Sequence, residues 1–270
     1  MQIDAVLEVE AGDPQIAIDF LVDNINLSKT RLKDLMNKGG VWRVDLQDRR
    51  ERLRRAMTDI FVGERIEIFY DEELLSLKPL KAELLHDAGQ YSVWNKPNGM
   101  PLSGTDWGDF NSFERAVELA THGERECYWL TPFDYQAAGV QVLAHSRKAA
   151  SQLTEQFDPE GLKGATLKYR CDVEGDFNDE GECTTDLEDG AVSTRFSKVR
   201  FDARPNRSVL EAELITGRDD QIRRQLSALR YPVVGDEDYG QNAEEQGLLR
   251  LKCVEVRFTC PMTHETLVFN

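Results

Sequence analysis

The sequence predicts an α+β fold in which a large domain, built on a mixed and mostly antiparallel sheet, follows a small N-terminal α/β domain. Helix-like periodicity marks the start of the chain, whereas strand-like alternation with few helices dominates from Tyr91 onward. The polar stretch between these patterns is typical of a linker. The 270 residues suffice for one large domain or two smaller ones. We predict domains at 1–75 and 90–270, joined by a linker at 76–89.

Two helices and a strand are predicted in the N-terminal domain. Asp13-Pro14 combines an N-cap acid with a proline at the first helical position, so a helix should run to about Asn24. A second helix should begin after Ser28 and end at Gly39-Gly40, with its basic residues facing outward. The segment Gly63–Tyr70 alternates between apolar and polar residues, which indicates a strand.

Several strands and one amphipathic helix are predicted in the larger domain. The segment Leu167–Gly175 alternates, which places Tyr169 on the apolar face of a strand. A helix with an apolar stripe should follow Asp219 or Asp220, either of which would cap it. The other predicted strands are Tyr91–Gly99, Val209–Gly217, Lys252–Pro261 and Glu265–Phe269.

The composition favours a soluble protein without a structural metal. The five cysteines form no Cys-x-x-Cys pair and the four histidines lack metal-ligand spacing, so reduced core thiols are expected. No apolar run approaches the length of a membrane span, and the acidic N-terminus is unlike a signal peptide. We therefore expect a cytoplasmic protein that binds neither membrane nor metal.

Charge is distributed unevenly along the chain. The net charge of −16 taken alone argues against a nucleic-acid partner. Residues 23–56, however, carry ten Lys and Arg against five Asp and Glu, and five of these arginines fall in the seven residues 49–55. The loop-like stretch Glu174–Gly190 carries eight acids and no base. A basic island on an acidic chain favours a phosphate-binding surface, although a merely solvated face stays open.

Three motifs in the larger domain resemble those of the RluA-type pseudouridine synthases, over roughly residues 90–270. The clearest is the family pattern Glu-x-x-Thr-Gly-Arg-x-His-Gln-Ile-Arg, followed by a Gly-Asp pair and Tyr-Gly. The family's Lys-x-Tyr-x-Ala-x-Val-x-Gly strand and its opening Asn-Lys-Pro-x-Gly turn precede it; in the strand, the lysine here lies one residue closer to the tyrosine. The matching residues are Glu213, Thr216, Gly217, Arg218, Gln221, Ile222, Arg223, Gly235, Asp236, Tyr239, Gly240, Lys168, Tyr169, Val173, Gly175, Asn95, Lys96, Pro97 and Gly99.

The family's catalytic motif, His-Arg-Leu-Asp-x-x-Thr-Ser-Gly, aligns with a divergent segment of this chain. Placing Gly139 on the final glycine puts Asp134 on the catalytic aspartate. Thr131-Pro132-Phe133 then replaces His-Arg-Leu, and Ala137-Ala138 replaces Thr-Ser. Asp220 also stands where the family has the histidine before Gln-Ile-Arg.

The resemblance implies an RNA pseudouridine synthase that uses neither cofactor nor metal. Asp134 would be the nucleophile or base, and Arg223 would hold it ionised and oriented. Tyr169 would stack on the uracil and could help to remove the proton from carbon 5. Ile222 would pack under the base. Arg218 and Lys96 would also contact the substrate.

Base flipping is where the chain departs from the family. The family's flipping arginine lies two residues before the aspartate, where this chain has Pro132. Because proline cannot fill the space that the base vacates, Trp129, Phe133 or Tyr135 could stack there instead. Altered RNA handling or altered activity stays open as an alternative.

The N-terminal domain resembles the S-four-like RNA-binding domain that often precedes this catalytic domain. The resemblance rests on the basic second helix and on the segment Gly39–Val44. It implies RNA as the partner of a monomeric enzyme, with ribosomal RNA favoured over transfer RNA. The expected RNA-binding residues are Lys29, Arg31, Lys33, Lys38, Arg49, Arg50 and Arg52.

Simpler interpretations of the same residues stay open. Asp134 could merely cap a turn, Tyr169 could be an ordinary core residue, and Arg223 could be a solvated helix residue. Because the His-Arg pair is absent, the chain could also be a catalytically silent RNA-binding module or RNA chaperone derived from the same fold.

Overall fold

The computed structural model describes residues 1–130, 133–158, 160–240 and 247–270. These residues form two compact units. The first unit comprises Met1–Leu80 and Pro101–Ala120, and the second comprises Lys81–Met100 and Thr121–Asn270. The sequence-based boundaries assign 101–120 to the larger domain, whereas in the structure this segment packs with the first unit.

The first unit is a four-stranded antiparallel sheet with helices. Its strands lie in the order β1-β4-β2-β3. Residues from α1, α2 and the sheet share a buried apolar core. The elements are β1 (Gln2–Glu8), α1 (Ala17–Asn24), α2 (Lys29–Lys38), β2 (Val41–Val44), β3 (Arg50–Arg52), β4 (Arg65–Asp71), α3 (Glu72–Ser76) and α4 (Phe113–Ala120).

Local sequence signals set the ends of α2, as predicted. The Ser28 hydroxyl accepts a hydrogen bond from the Arg31 amide at 3.3 Å, and Gly39 ends the helix with φ +85°. The predicted start of α1 is wrong. The Asp13 carboxylate accepts from the Glu10 amide and closes a turn, so α1 begins only at Ala17.

The second unit contains a ten-stranded mixed sheet. Its main path runs β10-β11-β12-β9-β13-β8-β6-β5, while β14 pairs with β13 and β7 pairs with β8. The β8–β13 pairing is parallel and the other pairings of this sheet are antiparallel. The elements are β5 (Glu83–Asp87), β6 (Tyr91–Lys96), β7 (Tyr128–Trp129), β8 (Ala138–Ala144), α5 (Arg147–Gln156), β9 (Thr166–Glu174), β10 (Gly181–Leu187), β11 (Gly190–Asp202), β12 (Arg207–Leu214), α6 (Gln221–Ala228), β13 (Leu251–Thr259) and β14 (Thr266–Phe269).

The strand register brings distant motifs together at the centre of this sheet. Tyr169 of β9 is paired with Cys253 of β13, which is paired in turn with Gly139 near the start of β8. Gly139 has φ +91°, and a Cβ there would lie 2.0 Å from the Cys253 carbonyl oxygen. The close approach of the two strands therefore requires glycine at this position.

Three sequence-based expectations about the second unit need correction. The acidic stretch Glu174–Gly190 is not a loop, because β10 lies within it and pairs with β11. Part of the predicted linker forms β5, which pairs with β6. Asp220 occupies the N-cap of α6, but it has φ +53° and its side chain makes no capping hydrogen bond. In the described ranges, no helix is long and apolar enough to cross a membrane.

Candidate active site

Asp134 lies in the turn between β7 and β8, with both carboxylate oxygens engaged. Oδ1 accepts hydrogen bonds from the amides of Gln136 at 3.0 Å and Ala137 at 3.2 Å. Oδ2 accepts from Nε of Arg223 at 2.9 Å. Oδ1 therefore caps the turn, as the simplest interpretation of the sequence predicts, while Oδ2 forms a buried ion pair.

Arg223 is the centre of this site. Its side chain is 0% exposed, so the alternative that it is a solvated helix residue is wrong. Besides Asp134, Nη1 donates to Asp236 and Asp238, at 3.0 Å each. Nη2 lies 2.8 Å from Asp220 Oδ1. One guanidinium is therefore shared by four carboxylates.

Sequence reasoning missed two of these carboxylates. Asp236 belongs to a Gly-Asp pair that was matched to the family, and its 0% exposed side chain gives it a structural role against Arg223. Asp238, two residues further along the chain, also accepts from the Gln136 side chain at 3.0 Å. The available signal was the spacing of acids in Gly235–Gly240, directly after the predicted helix.

Burial and the charge of Arg223 shift the pKa of Asp134 in opposite directions. Burial raises the pKa of Asp134 above its ordinary value; the charge of Asp220 also raises it, and Arg223 opposes both. For Arg223 itself, burial disfavours the charged form, but Asp134, Asp220 and Asp236 outweigh it and raise the pKa. The guanidinium therefore stays protonated, and Asp134 is a more basic carboxylate than one in water.

Tyr169 borders Asp134 from β9. It is buried, and its hydroxyl lies 3.5 Å from the Asp134 amide nitrogen. Burial raises the pKa of this phenol well above its ordinary value, and the nearby Cys253 and Asp134 add to the effect. The hydroxyl is therefore neutral at physiological pH.

A small cavity adjoins these side chains. Asp134, Tyr169, Leu214, Arg218, Gln221 and Ile222 line it, and its volume is about 10 Å³. That volume suits about one water molecule, so a uracil requires the cavity to widen. Thr131 and Pro132 lie outside the described residues, and the prediction about base flipping at Pro132 stays a prediction.

The other two predicted substrate contacts differ in their surroundings. Arg218 lines the cavity, while its Nη2 donates to Glu160 at 2.7 Å. Lys96 is fully buried, and its ammonium donates to the Met100 carbonyl at 2.6 Å. Burial lowers the pKa of Lys96 to about 8, against the charge of Asp134. Lys96 thus interacts with Asp134 electrostatically and does not line the cavity.

The three aromatic candidates for base stacking pack mainly against their neighbours. Trp129 and Tyr135 form an edge-to-face pair with ring centroids 5.0 Å apart. Phe133 is buried and packs against Phe157 at 5.3 Å. Among the described residues, no group of three or more His, Cys, Asp and Glu side chains could hold a metal ion.

The predicted RNA-binding residues of α2 differ in their surroundings, and only Lys29 and Arg31 form exposed ion pairs within the first unit. Lys29 pairs with Asp19 at 2.8 Å, and Arg31 pairs with Glu72 at 2.9 Å. Lys38 pairs with Asp34 at 2.9 Å and also donates to the Leu75 carbonyl at 2.6 Å. Lys33 is exposed and has no ion pair in the described part of the chain.

Arg50 and Arg52 of β3 form more contacts than the basic residues of α2. Arg50 pairs with Glu67 and with Asp106, at 2.8 Å each. Arg52 donates to the carbonyls of Gly39 and Thr105, and its Nε lies 3.2 Å from Asp109. Both guanidinium groups also stack on Trp42, with their carbons 4.0 and 4.1 Å from the ring centroid.

These contacts give Arg50 and Arg52 a structural role, because they fasten segment 105–109 to the sheet of their own unit. Arg49 differs: its side chain is largely exposed and pairs only with Asp45, at 2.7 Å, among the described residues. Arg55 is also exposed and forms no ion pair among the described residues, so Arg49 and Arg55 are the arginines near β3 most available for a phosphate.

A family model and two named relatives match this chain. A family model described as RNA pseudouridylate synthase matches residues 90–228, which include Asp134, Tyr169 and Arg223. A tRNA pseudouridine synthase C of Vibrio parahaemolyticus is 26% identical, over 72% of this chain and 91% of the relative. A ribosomal large subunit pseudouridine synthase C of Haemophilus influenzae is 25% identical, over 77% of this chain and 70% of the relative.

The solved structure of human RNA pseudouridylate synthase domain containing 1 has the same fold. Its TM-score is 0.54 at 19% identity, covering 72% of this chain and 85% of the human chain. The family match spans more than half of the chain and coincides with the predicted motifs. The chain therefore belongs to the RluA-type RNA pseudouridylate synthases, enzymes of the isomerase class that act on uridine in RNA.

Proposed function

We propose that this enzyme converts uridine to pseudouridine with Asp134 as its catalytic carboxylate and without a cofactor. The observation that carries the proposal is the buried pair of Asp134 and Arg223, with side chains 7% and 0% exposed, beside Tyr169 and a cavity. A buried, oriented carboxylate with a raised pKa is typical of a catalytic acid, base or nucleophile.

The reaction is an internal exchange of bonds. The bond from uracil nitrogen 1 to ribose carbon 1′ breaks, the base rotates, and a bond from carbon 5 to carbon 1′ forms. The proton on carbon 5 leaves and nitrogen 1 gains one, so no electron acceptor is needed. Asp134 acts either as the nucleophile of the first step or as the base, and Arg223 holds its carboxylate in place.

Tyr169 and Ile222 complete the proposed base pocket. The Tyr169 ring forms one wall, and its hydroxyl, 3.5 Å from the backbone amide nitrogen of Asp134, helps to remove the proton from carbon 5 of the base. Ile222 lines the same cavity and packs beneath the base, and Arg218 contacts the substrate from the cavity's side. Lys96 acts on Asp134 through its charge.

We propose ribosomal RNA as the substrate and the cytoplasm as the location. One relative is named for the ribosomal large subunit, although another is named for tRNA, so both substrates enter the test below. The first unit is proposed to act as an S-four-like RNA-binding domain. In it, Lys29, Arg31 and Arg49 are exposed cations that can exchange their carboxylate partners for phosphates, Lys33 is exposed without an ion pair among the described residues, and the partly buried Lys38 adds its charge.

The test is tritium release from RNA labelled at uridine carbon 5, because pseudouridine formation expels that hydrogen. Ribosomal and transfer RNA are prepared separately from a strain that lacks the gene, so that target uridines are unmodified. Release from ribosomal RNA alone is expected. Release from transfer RNA alone would refute the substrate assignment, and RNA binding without release from either would support the silent-module alternative.

A further inference from the structure

A second, larger cavity opens on the sheet of the second unit. Its volume is about 730 Å³, within the range of small-molecule and nucleotide sites. Arg170 and Asp172 of β9 contribute to its lining. Because side chains alternate along a strand, these two residues lie on the face opposite to Tyr169. The cavity is therefore distinct from the cavity beside Asp134.

Basic side chains dominate the charge of this second cavity. Among the residues that the structure describes, Arg170, Arg207, Arg250 and Lys252 line it together with the acid Asp172. The described lining therefore carries more basic than acidic side chains on a chain whose net charge is −16, although Glu211 beside it pairs with Arg170. An excess of this kind attracts anions, and RNA phosphates above all.

The ion pairs already present at this cavity are of a kind that a phosphate can replace. Arg170 pairs with Glu211 at 2.6 Å, and Arg250 lies 3.6 Å from Asp172, with both arginine side chains more than half exposed. Exposed pairs contribute little to stability. Lys252 is exposed and forms no ion pair with any residue that the structure describes.

The rest of the lining suits a flat, mostly apolar group. Val234, Leu248 and Val254 contribute apolar surface, and Leu248 is 60% exposed. Asn98 adds an amide that can donate and accept hydrogen bonds. Arginine guanidinium planes are among the surfaces on which proteins stack an unstacked RNA base, and Arg170, Arg207 and Arg250 supply such planes here.

We propose that this cavity binds a nucleotide of the RNA substrate other than the target uridine. The basic side chains hold its phosphate, and the apolar wall receives its base. The inference rests on the proposed function, because it assumes that single-stranded RNA passes the catalytic turn.

The chain connects this cavity directly to the catalytic site. Ala138 lines the cavity, and its neighbour Ala137 donates its amide to Asp134. Gly235 also lines the cavity, and the next residue is Asp236, a partner of Arg223. One rim of the cavity is therefore formed by residues that adjoin, in the chain, the groups that hold Asp134 and Arg223.

The proposal is tested by removing two cavity charges and measuring RNA binding. The variant Arg250→Gln/Lys252→Gln is built on Asp134→Asn, so that no turnover interferes. The matched control, Lys163→Gln/Arg200→Gln on the same background, removes two charges from side chains that are 71% and 61% exposed and do not line the cavity. The probe is a labelled oligouridine of about 12 nucleotides, long enough for a single-stranded site.

We expect the cavity variant to bind oligouridine roughly tenfold more weakly at low salt. The slope of log affinity against log salt concentration should become shallower by about 1.4, because two phosphate contacts of about 0.7 each are lost. The control should retain its affinity. Equal losses in both variants, or no loss in the cavity variant, would overturn the proposal. The binding of uridine monophosphate is measured in the same two variants. If the cavity charges affect the binding of uridine monophosphate but not that of oligouridine, the cavity holds a free nucleotide and the proposal is wrong.

These outcomes stay separate from the test of Asp134. Binding is measured without turnover, so a failed cavity prediction leaves the catalytic proposal untouched. Conversely, normal tritium release by Asp134→Asn would refute the catalytic proposal without changing the binding result.

Discussion

Replacing Arg223 by methionine should be far more damaging than replacing the next residue of the same helix. The Arg223 guanidinium compensates Asp134 and Asp236, whose side chains are 7% and 0% exposed. Breaking a buried ion pair from one side costs about 3–5 kcal/mol, since the remaining charge stays buried without compensation. For a unit of this size, that loss lowers the melting temperature by roughly 6–20 °C.

The matched control is Arg224→Met. Arg224 pairs at 2.7 Å with Asp189, whose side chain is 46% exposed, so its removal leaves a solvated carboxylate and not a buried one. Urea unfolding of both variants, followed by tryptophan fluorescence, gives the comparison. If Arg223→Met does not fold, Arg223→Lys keeps the charge but loses the planar fork, and it should give a smaller loss of the same kind. Equal losses at positions 223 and 224 would refute the idea that Arg223 is the centre of the site.

The stability loss of Arg223→Met should depend on pH in a defined direction. Arg223 lowers the pKa of Asp134, so its removal leaves that pKa raised further by burial and by Asp220. The folded state then binds a proton more readily than the unfolded state. Stability is therefore lost as pH rises above the ordinary carboxyl range and recovered as pH falls toward it. Unfolding at pH 5 and pH 8 should show the smaller loss at pH 5, and a loss that is equal at both would contradict the assignment.

Three further predictions concern single residues. Tyr169→Phe keeps the ring but removes the hydroxyl. The rate of tritium release should therefore fall by roughly 10²-fold, while the affinity for RNA stays unchanged. An unchanged rate would exclude a role for the hydroxyl. Asp220→Asn removes a charge that raises the pKa of Asp134, so the acid limb of the rate–pH profile should move to lower pH. An acid limb that does not move would contradict an electrostatic interaction between Asp220 and Asp134. Gly139→Ala should destabilise the fold by roughly 1–3 kcal/mol or more in urea unfolding, because its φ is +91° and its Cβ would meet the Cys253 carbonyl. Gly161→Ala, with open space around its Cα, is the control and should be near neutral.

The central strands could be predicted because their signals are local. The alternation in Leu167–Gly175 placed Tyr169 on the buried face, and the structure confirms that β9 buries it. The Ser28 cap and Gly39 likewise set the ends of α2 through contacts within a few residues. Such patterns depend on backbone geometry and need no knowledge of distant parts of the chain.

The surroundings of Arg223 could not be predicted from residue patterns alone. On α6 it precedes a charged neighbour, and the apolar stripe consists of Ile222, Leu226 and Leu229. Its burial depends on Asp134, which lies 89 residues earlier, and on the carboxylates at 236 and 238. The family resemblance supplied the partnership with Asp134, but it gave no indication that four carboxylates would share one guanidinium.

For the basic residues 23–56, the sequence pattern suggested more free charge than the structure has. Counting charges in residues 23–56 suggested a continuous phosphate-binding surface. The acids that engage Arg50 and Arg52, Asp106 and Asp109, lie more than fifty residues further along the chain. A window of local sequence cannot reveal such compensation, because it arises only when segment 105–109 folds back onto its unit.

The central claim is that Asp134 is the catalytic carboxylate, and tritium release by Asp134→Asn tests it most directly. Wild type and variant are compared in a single turnover, with enzyme in excess over labelled RNA and with RNA affinity measured in parallel. The account predicts that the variant binds RNA as wild type does and releases tritium at least about 10³-fold more slowly. Release at a rate close to that of wild type would contradict the assignment of Asp134.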